Sequence, residues 1–261
     1  MFAALIFRLI SAYNGPLMLP APHPPPPPDS AGFRRIVDGA SALVEIVVVA
    51  FLGSLVAQGL LTAAGLSPMA DARQLAAFMW FEAVLTLAIL TLLLRFRNQR
   101  WATLGWTSEG LHGELRIGLL VLPGLFAVTF LTGALFQTFW PDYVSAKNPL
   151  LEMIRTKADL ALFLVSSVFV GGVKEEVQRA FVLTHFERHL GGIWAGLLVW
   201  TLIFAALHSV QGFDKAVGAG ILGLVFGLLY ISRRKLTSPI VAHALYDVTT
   251  LFLFWSFLRQ R

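Results

Sequence analysis

Seven stretches of mostly apolar residues recur along the chain, at 36–65, 75–94, 117–139, 160–183, 193–210, 217–231 and 240–258. Short segments between them hold most of the charged residues. About 20 apolar residues in a helix cross the hydrocarbon core of a bilayer, so the pattern predicts an all-α, polytopic transmembrane helix bundle of about seven spans. The sixth stretch is short for a span and can run back to Phe213.

Composition agrees with this pattern. Hydrophobic residues make up 57% of the 261 positions and charged residues 13%, with a mean hydropathy of +0.73. Roughly 25% charged residues is usual for a soluble domain, so this chain has too little polar surface to cover a core in water. The absence of cysteine excludes a disulfide framework, thiolate zinc sites and a cysteine nucleophile. The net charge of +5 sits in short loops, with no basic, aromatic-interleaved surface of the kind that nucleic-acid binding needs. Of the twenty Lys and Arg residues, eleven fall on the side of the N-terminus and seven on the other, while Lys174 and Arg179 lie within a span. That bias predicts an N-terminus inside and a C-terminus outside, in the plasma or inner membrane if the source is bacterial.

Residues 1–10 are apolar but too short to span and are interrupted by Arg8. They lack the charge order and cleavage site of a signal peptide, so they read as a retained segment, an interfacial helix. The proline-rich stretch 19–29 is an extended spacer that cannot pack. With no internal repeat, the expected organisation is an N-terminal segment with linker at 1–35 and one transmembrane domain at 36–261.

An ionisable side chain at membrane depth costs about 2.5–3.5 kcal/mol or more, so it needs a partner or a watery cavity. The exceptions to an otherwise apolar pattern concentrate in the fourth, fifth and seventh stretches. The fourth carries Lys174, Glu175, Glu176 and Arg179. Glu175 and Glu176 stand four and three residues before Arg179, so either can pair with the guanidinium on one helix face. Adjacent residues point about 100° apart on a helix, so the other carboxylate is left for the bundle centre, where it suits a general base acting on water. His208 closes the fifth stretch, and His243 with Asp247 form an i, i+4 pair in the seventh. An imidazole and a carboxylate so placed orient one another or jointly hold a ligand. Apart from Glu82, the second and third stretches are free of such groups.

Two further patterns read as structural. His185, Glu187 and His189 resemble a metal helix, but zinc proteases need the glutamate directly after the first histidine, so interface anchoring is expected. Gly218, Gly220, Gly223 and Gly227 form a small-residue stripe suited to close helix packing.

Together the three polar motifs resemble the CPBP family, the CAAX-processing and bacteriocin-processing intramembrane proteases also called Abi proteins. That family shows Glu-Glu-x-x-x-Arg, then Phe-x-x-x-His, then His-x-x-x-Asn/Asp. Phe204 to His208 and His243 to Asp247 match in spacing and order, as does the preceding Ser238-Pro239-Ile240. The resemblance covers a protease-like core at 160–258. The first motif departs from the pattern, since Arg179 follows Glu176 by three residues rather than four. Aligning on the arginine puts Lys174 and Glu175 at the two glutamate positions, and a helix bulge would reconcile the two alignments.

The resemblance implies an intramembrane endopeptidase acting on membrane-associated or prenyl-type peptides or on membrane proteins. Glu175 or Glu176 would activate water with His208, and Arg179 would orient the carboxylates. His243 and Asp247 would stabilise the oxyanion or share in metal binding. His208 and His243 with carboxylates could hold zinc with an open position, and a metal-free, glutamate-activated water fits the residues equally. Two other readings stand beside it: a non-proteolytic scaffold or immunity protein of the same fold, and a proton-coupled transporter.

Overall fold

A computed structural model describes residues 28–258 of the chain. The expected interfacial segment and most of the proline-rich spacer lie outside the described residues. Within them the protein is all-helical, without strands. Helix α1 (Pro28–Val47) runs through a π turn, Val48–Leu52, into α2 (Gly53–Ala63). Then come α3 (Ala72–Phe96), α4 (Leu111–Phe139), a short α5 (Pro149–Glu152) and α6 (Lys157–Ser166). A nine-residue π stretch, Ser167–Glu175, joins α6 to α7 (Glu176–His189) without a break. The remainder is α8 (Ile193–Leu207), α9 (Phe213–Arg233) and α10 (Thr237–Leu253), which ends in a π turn, Phe254–Leu258.

Among the described residues, five helices are long and apolar enough to cross a membrane: Gly32–Ala63, Ala72–Phe96, Leu111–Phe139, Phe213–Arg233 and Thr237–Phe257. The sixth apolar stretch does start at Phe213, so its helix has spanning length. The fifth is a shorter apolar helix, Ile193–Leu207, with His208 at its C-cap rather than within it. The fourth is continuous in helix but divided by its π stretch and its charges.

The helices run up and down, as their end contacts show. At one end Leu236 N donates to Gly105 O (3.0 Å), Arg233 pairs with Glu114 (2.7 Å) and Arg234 with Glu187 (2.5 Å). The loop before α4 is thereby tied to the turn after α9. Gly105, at φ +83°, permits this, because a Cβ there would meet the backbone of Arg234 and Lys235. At the other end Ser145 N donates to Asp214 Oδ1 (3.1 Å) and Asn148 Nδ2 to Gln211 Oε1 (3.1 Å). Outward faces of α2, α4 and α8 keep large apolar side chains such as Leu55, Phe130 and Leu202 exposed, as lipid-facing helices do.

The main core gathers Val49, Leu90, Phe181, Leu183, Trp200 and Tyr230 around α7, which is buried over most of its length. Of the glycine stripe of α9, Gly220, Gly223 and Gly227 pack inward, while Gly218 faces open space. A Cβ on Gly220 would lie 3.0 Å from Ala205, and Gly227 faces Leu197, so α8 and α9 approach closely.

The structure corrects the expectation for His185 and Glu187, while His189 stays exposed at the end of α7. His185 is buried, with Nε2 2.9 Å from Glu45 Oε2, and Glu45 also pairs with Arg97. Glu187 holds Arg234. The sequence pattern hid these partners because Glu45 and Arg97 are distant in the chain. Glu45 in the first span and Glu114, in the first turn of α4 ahead of the 117–139 stretch, are also buried carboxylates.

Candidate active site

The site is built on the π stretch, α7, the end of α8 and α10. Two glycines inside the π stretch set the approach. A Cβ on Gly171 would lie 2.5 Å from Asp247 Oδ2, and one on Gly172 would lie 2.8 Å from the Ala244 methyl. The widened helix therefore rests directly on the face of α10 that carries His243 and Asp247.

Three consecutive charged residues then fan around the helix, because neighbours in a helix point in different directions. Lys174 turns away from the site toward α3, where its Nζ lies 2.8 Å from Glu82 Oε1. Glu175 borders the partly exposed space beside His243 and Asp247 that forms the cleft of the site: its side chain is 20% exposed, that of Asp247 29%, and its Oε2 lies 3.9 Å from His243 Nε2. Glu176, 1% exposed, turns inward to Arg179 and to His243 Nδ1, which lies 2.7 Å from its Oε1. The alignment that would put Lys174 in a glutamate's place thus sends that position out of the site. Glu175 and Glu176 are the carboxylates that reach it.

Arg179 is also 1% exposed and lies under two aromatic rings, 4.9 Å from the centroid of Phe204 and 5.6 Å from that of Phe226. A guanidinium so placed is held by one carboxylate and two π faces, away from the surface. Phe226 stacks on His243 as well, at 4.4 Å and 17°, which fixes the plane of the imidazole. The Nε2 edge of that ring then faces Asp247 Oδ2 at 3.6 Å and Glu175. Gly223 leaves room for this layer, since its Cβ position is 3.0 Å from Phe204 and 3.6 Å from Arg179 Nη2.

His208 and His243 both lie beside the ring of Phe204. The Phe204 ring is 4.3 Å from His208 and 6.5 Å from His243. His208 Nδ1 donates to the Phe204 carbonyl (2.8 Å), which leaves Nε2 as the atom able to meet water or substrate.

Residues 157–249 match the family model described as type II CAAX prenyl endopeptidase Rce1-like. This stretch is Rce1-like. The match accords with the resemblance to the CPBP family, and the Rce1-like stretch contains all six candidates: Glu175, Glu176, Arg179, His208, His243 and Asp247. With the five spanning helices it makes the chain an integral membrane protein. No curated protein and no solved structure matches the chain.

The zinc alternative finds little support in the donor set. Among the described residues, no group of three or more His, Asp and Glu side chains is spaced to hold a metal ion. His243 turns Nδ1 to Glu176, which leaves Nε2 as its open nitrogen. A residue that sequence reasoning left aside is Glu82, visible in the sequence as the lone carboxylate of its span but assigned no partner.

Proposed function

We propose that this protein is an intramembrane endopeptidase that hydrolyses peptide bonds of membrane-associated or prenyl-type peptide substrates, with Glu175 as the base. The supporting observation is the division of labour between the two glutamates. Glu176 is fully enclosed and committed to Arg179 and His243, whereas Glu175 opens to the cleft. Glu175 takes a proton from water, whose oxygen attacks the scissile carbonyl carbon. The Nε2–H of doubly protonated His243, held in plane by Phe226 and from behind by Glu176, donates to the oxyanion. Collapse of that intermediate breaks the C–N bond, and the proton held by Glu175 passes to the leaving nitrogen. His208 presents Nε2 to water or substrate, Arg179 pairs with Glu176 and holds it in place, and Asp247 steadies the His243 edge. Among the described residues no set of three donors is spaced to hold a metal ion, and this reaction uses none.

The test is cleavage of a library of membrane peptides by the purified full-length protein, wild type against Glu175→Gln, with and without a chelator. The expected result is cleavage by wild type, loss in the variant and indifference to the chelator. A folded wild type that cleaves nothing would sink the proposal in favour of a non-proteolytic scaffold.

A further inference from the structure

The π stretch places Glu175, yet the features that hold this stretch in phase come from outside the Rce1-like segment. Lys174 and Gln178 are four residues apart and so share one face of the catalytic helix. Lys174 reaches Glu82 of α3, which also accepts from Ser54 of α2 and Thr86 of α3 at 3.3 Å each. Gln178 Nε2 donates to Val49 O (2.8 Å), a carbonyl within the π turn that precedes α2. A π turn disturbs the regular ladder of backbone bonds, and a side-chain amide from the catalytic helix meets one of its carbonyls. Lys174 and Glu82 are both buried. A buried ion pair is a weak source of stability against an apolar replacement, but it defines one arrangement sharply.

We propose, on the footing of the endopeptidase reading, that the Lys174–Glu82 pair, seconded by Gln178, is a positioning clamp through which the first two spans set the rotation of the catalytic helix and aim Glu175 into the cleft. Lys174 is the immediate neighbour of Glu175. Any rotation that carries Glu175 out of the cleft must pull Lys174 off Glu82. The clamp gives two of the spans outside the family match a part in the reaction without touching substrate.

The test uses the full-length protein in detergent with a cleavable peptide. Single neutralisation leaves a buried charge unpaired and risks misfolding, so the informative variant is Lys174→Met with Glu82→Gln, which removes both charges together. It is expected to lower kcat by about tenfold or more with KM within about twofold. Amide exchange should rise over 167–176 and stay unchanged in α9 and α10. Lys174→Arg, which keeps the pair, should hold kcat within about threefold of wild type. A double variant with wild-type kcat overturns the clamp. So does a loss that merely follows the folded fraction, with exchange raised everywhere. If wild type itself cleaves nothing, the endopeptidase reading fails separately and exchange alone decides. Unchanged protection over 167–176 then overturns the clamp, and a rise confined to that stretch sustains it.

Discussion

Glu175 and Glu176 are adjacent and chemically identical, and the structure gives them opposite surroundings. Glu175→Gln keeps the shape and removes the base, so kcat should fall by about 10²–10⁴ while the thermal midpoint holds; single-turnover cleavage beside a melting curve checks both. Glu176→Gln leaves the enclosed Arg179 without its counter-charge and should destabilise by about 3–5 kcal/mol, read as a lowered unfolding midpoint in detergent. A Glu176 variant as stable as wild type would show that Arg179 is neutralised by something else. The motif spacing allowed either glutamate to take either part. What separated them is the turn of the helix, which depends on where Lys174 is held.

Among the elements, the π stretch Ser167–Glu175 matters most. Its two glycines let it lie on α10, and Gly171→Ala would press a methyl group against the Asp247 carboxylate. A displacement of about 1 Å in a site of this kind can cost about 10²-fold, so this variant should lose activity on that scale while remaining folded, as shown by kcat beside a melting curve. α3 offers a check outside the membrane. Asp71 caps it by accepting from Gln74 N (2.9 Å) and Arg73 N (2.8 Å), and the Gln74 bonds foremost hold its carboxyl below the usual carboxylate range. A depressed folded pKa means that this contribution is present above the unfolded value, about 3.9, and is lost as pH falls through the folded value. Protection of the first-turn amides of α3, the exchange rate relative to an unstructured chain at the same pH, should therefore fall below about pH 4 in wild type, and Asp71→Ala should show the lowered protection at neutral pH as well.

At the scale of the molecule, the end contacts sort the loops into two sets. The loop before α4 and the turn after α9 share one end, and the loop before α5 shares the other with the turn before α9. The charge bias favours the first set inside. Because the chain has no cysteine, single introduced thiols report orientation cleanly. Lys147→Cys should react with an impermeant maleimide on intact cells, and Ser108→Cys only after permeabilisation. The reverse pattern would invert the bundle and would place the Phe204–His208 end of the cleft on the inner side.

The long apolar runs alone determined the membrane class and the helical fold, because no other secondary structure satisfies its backbone within one segment in lipid. The i, i+4 spacing of His243 and Asp247 and the proximity of Glu175, Glu176 and Arg179 were likewise local facts, legible as shared helix faces. The role of Lys174 was not legible, nor were the burial of His185 on Glu45 and the assignment of the open carboxylate. Each depends on a partner many residues away, Glu82 for Lys174 and Glu45 for His185, and on a π stretch whose widened turn no hydrophobic period records. Spacing along the chain decides which residues share a face. Only the packing of one helix against another decides what that face meets.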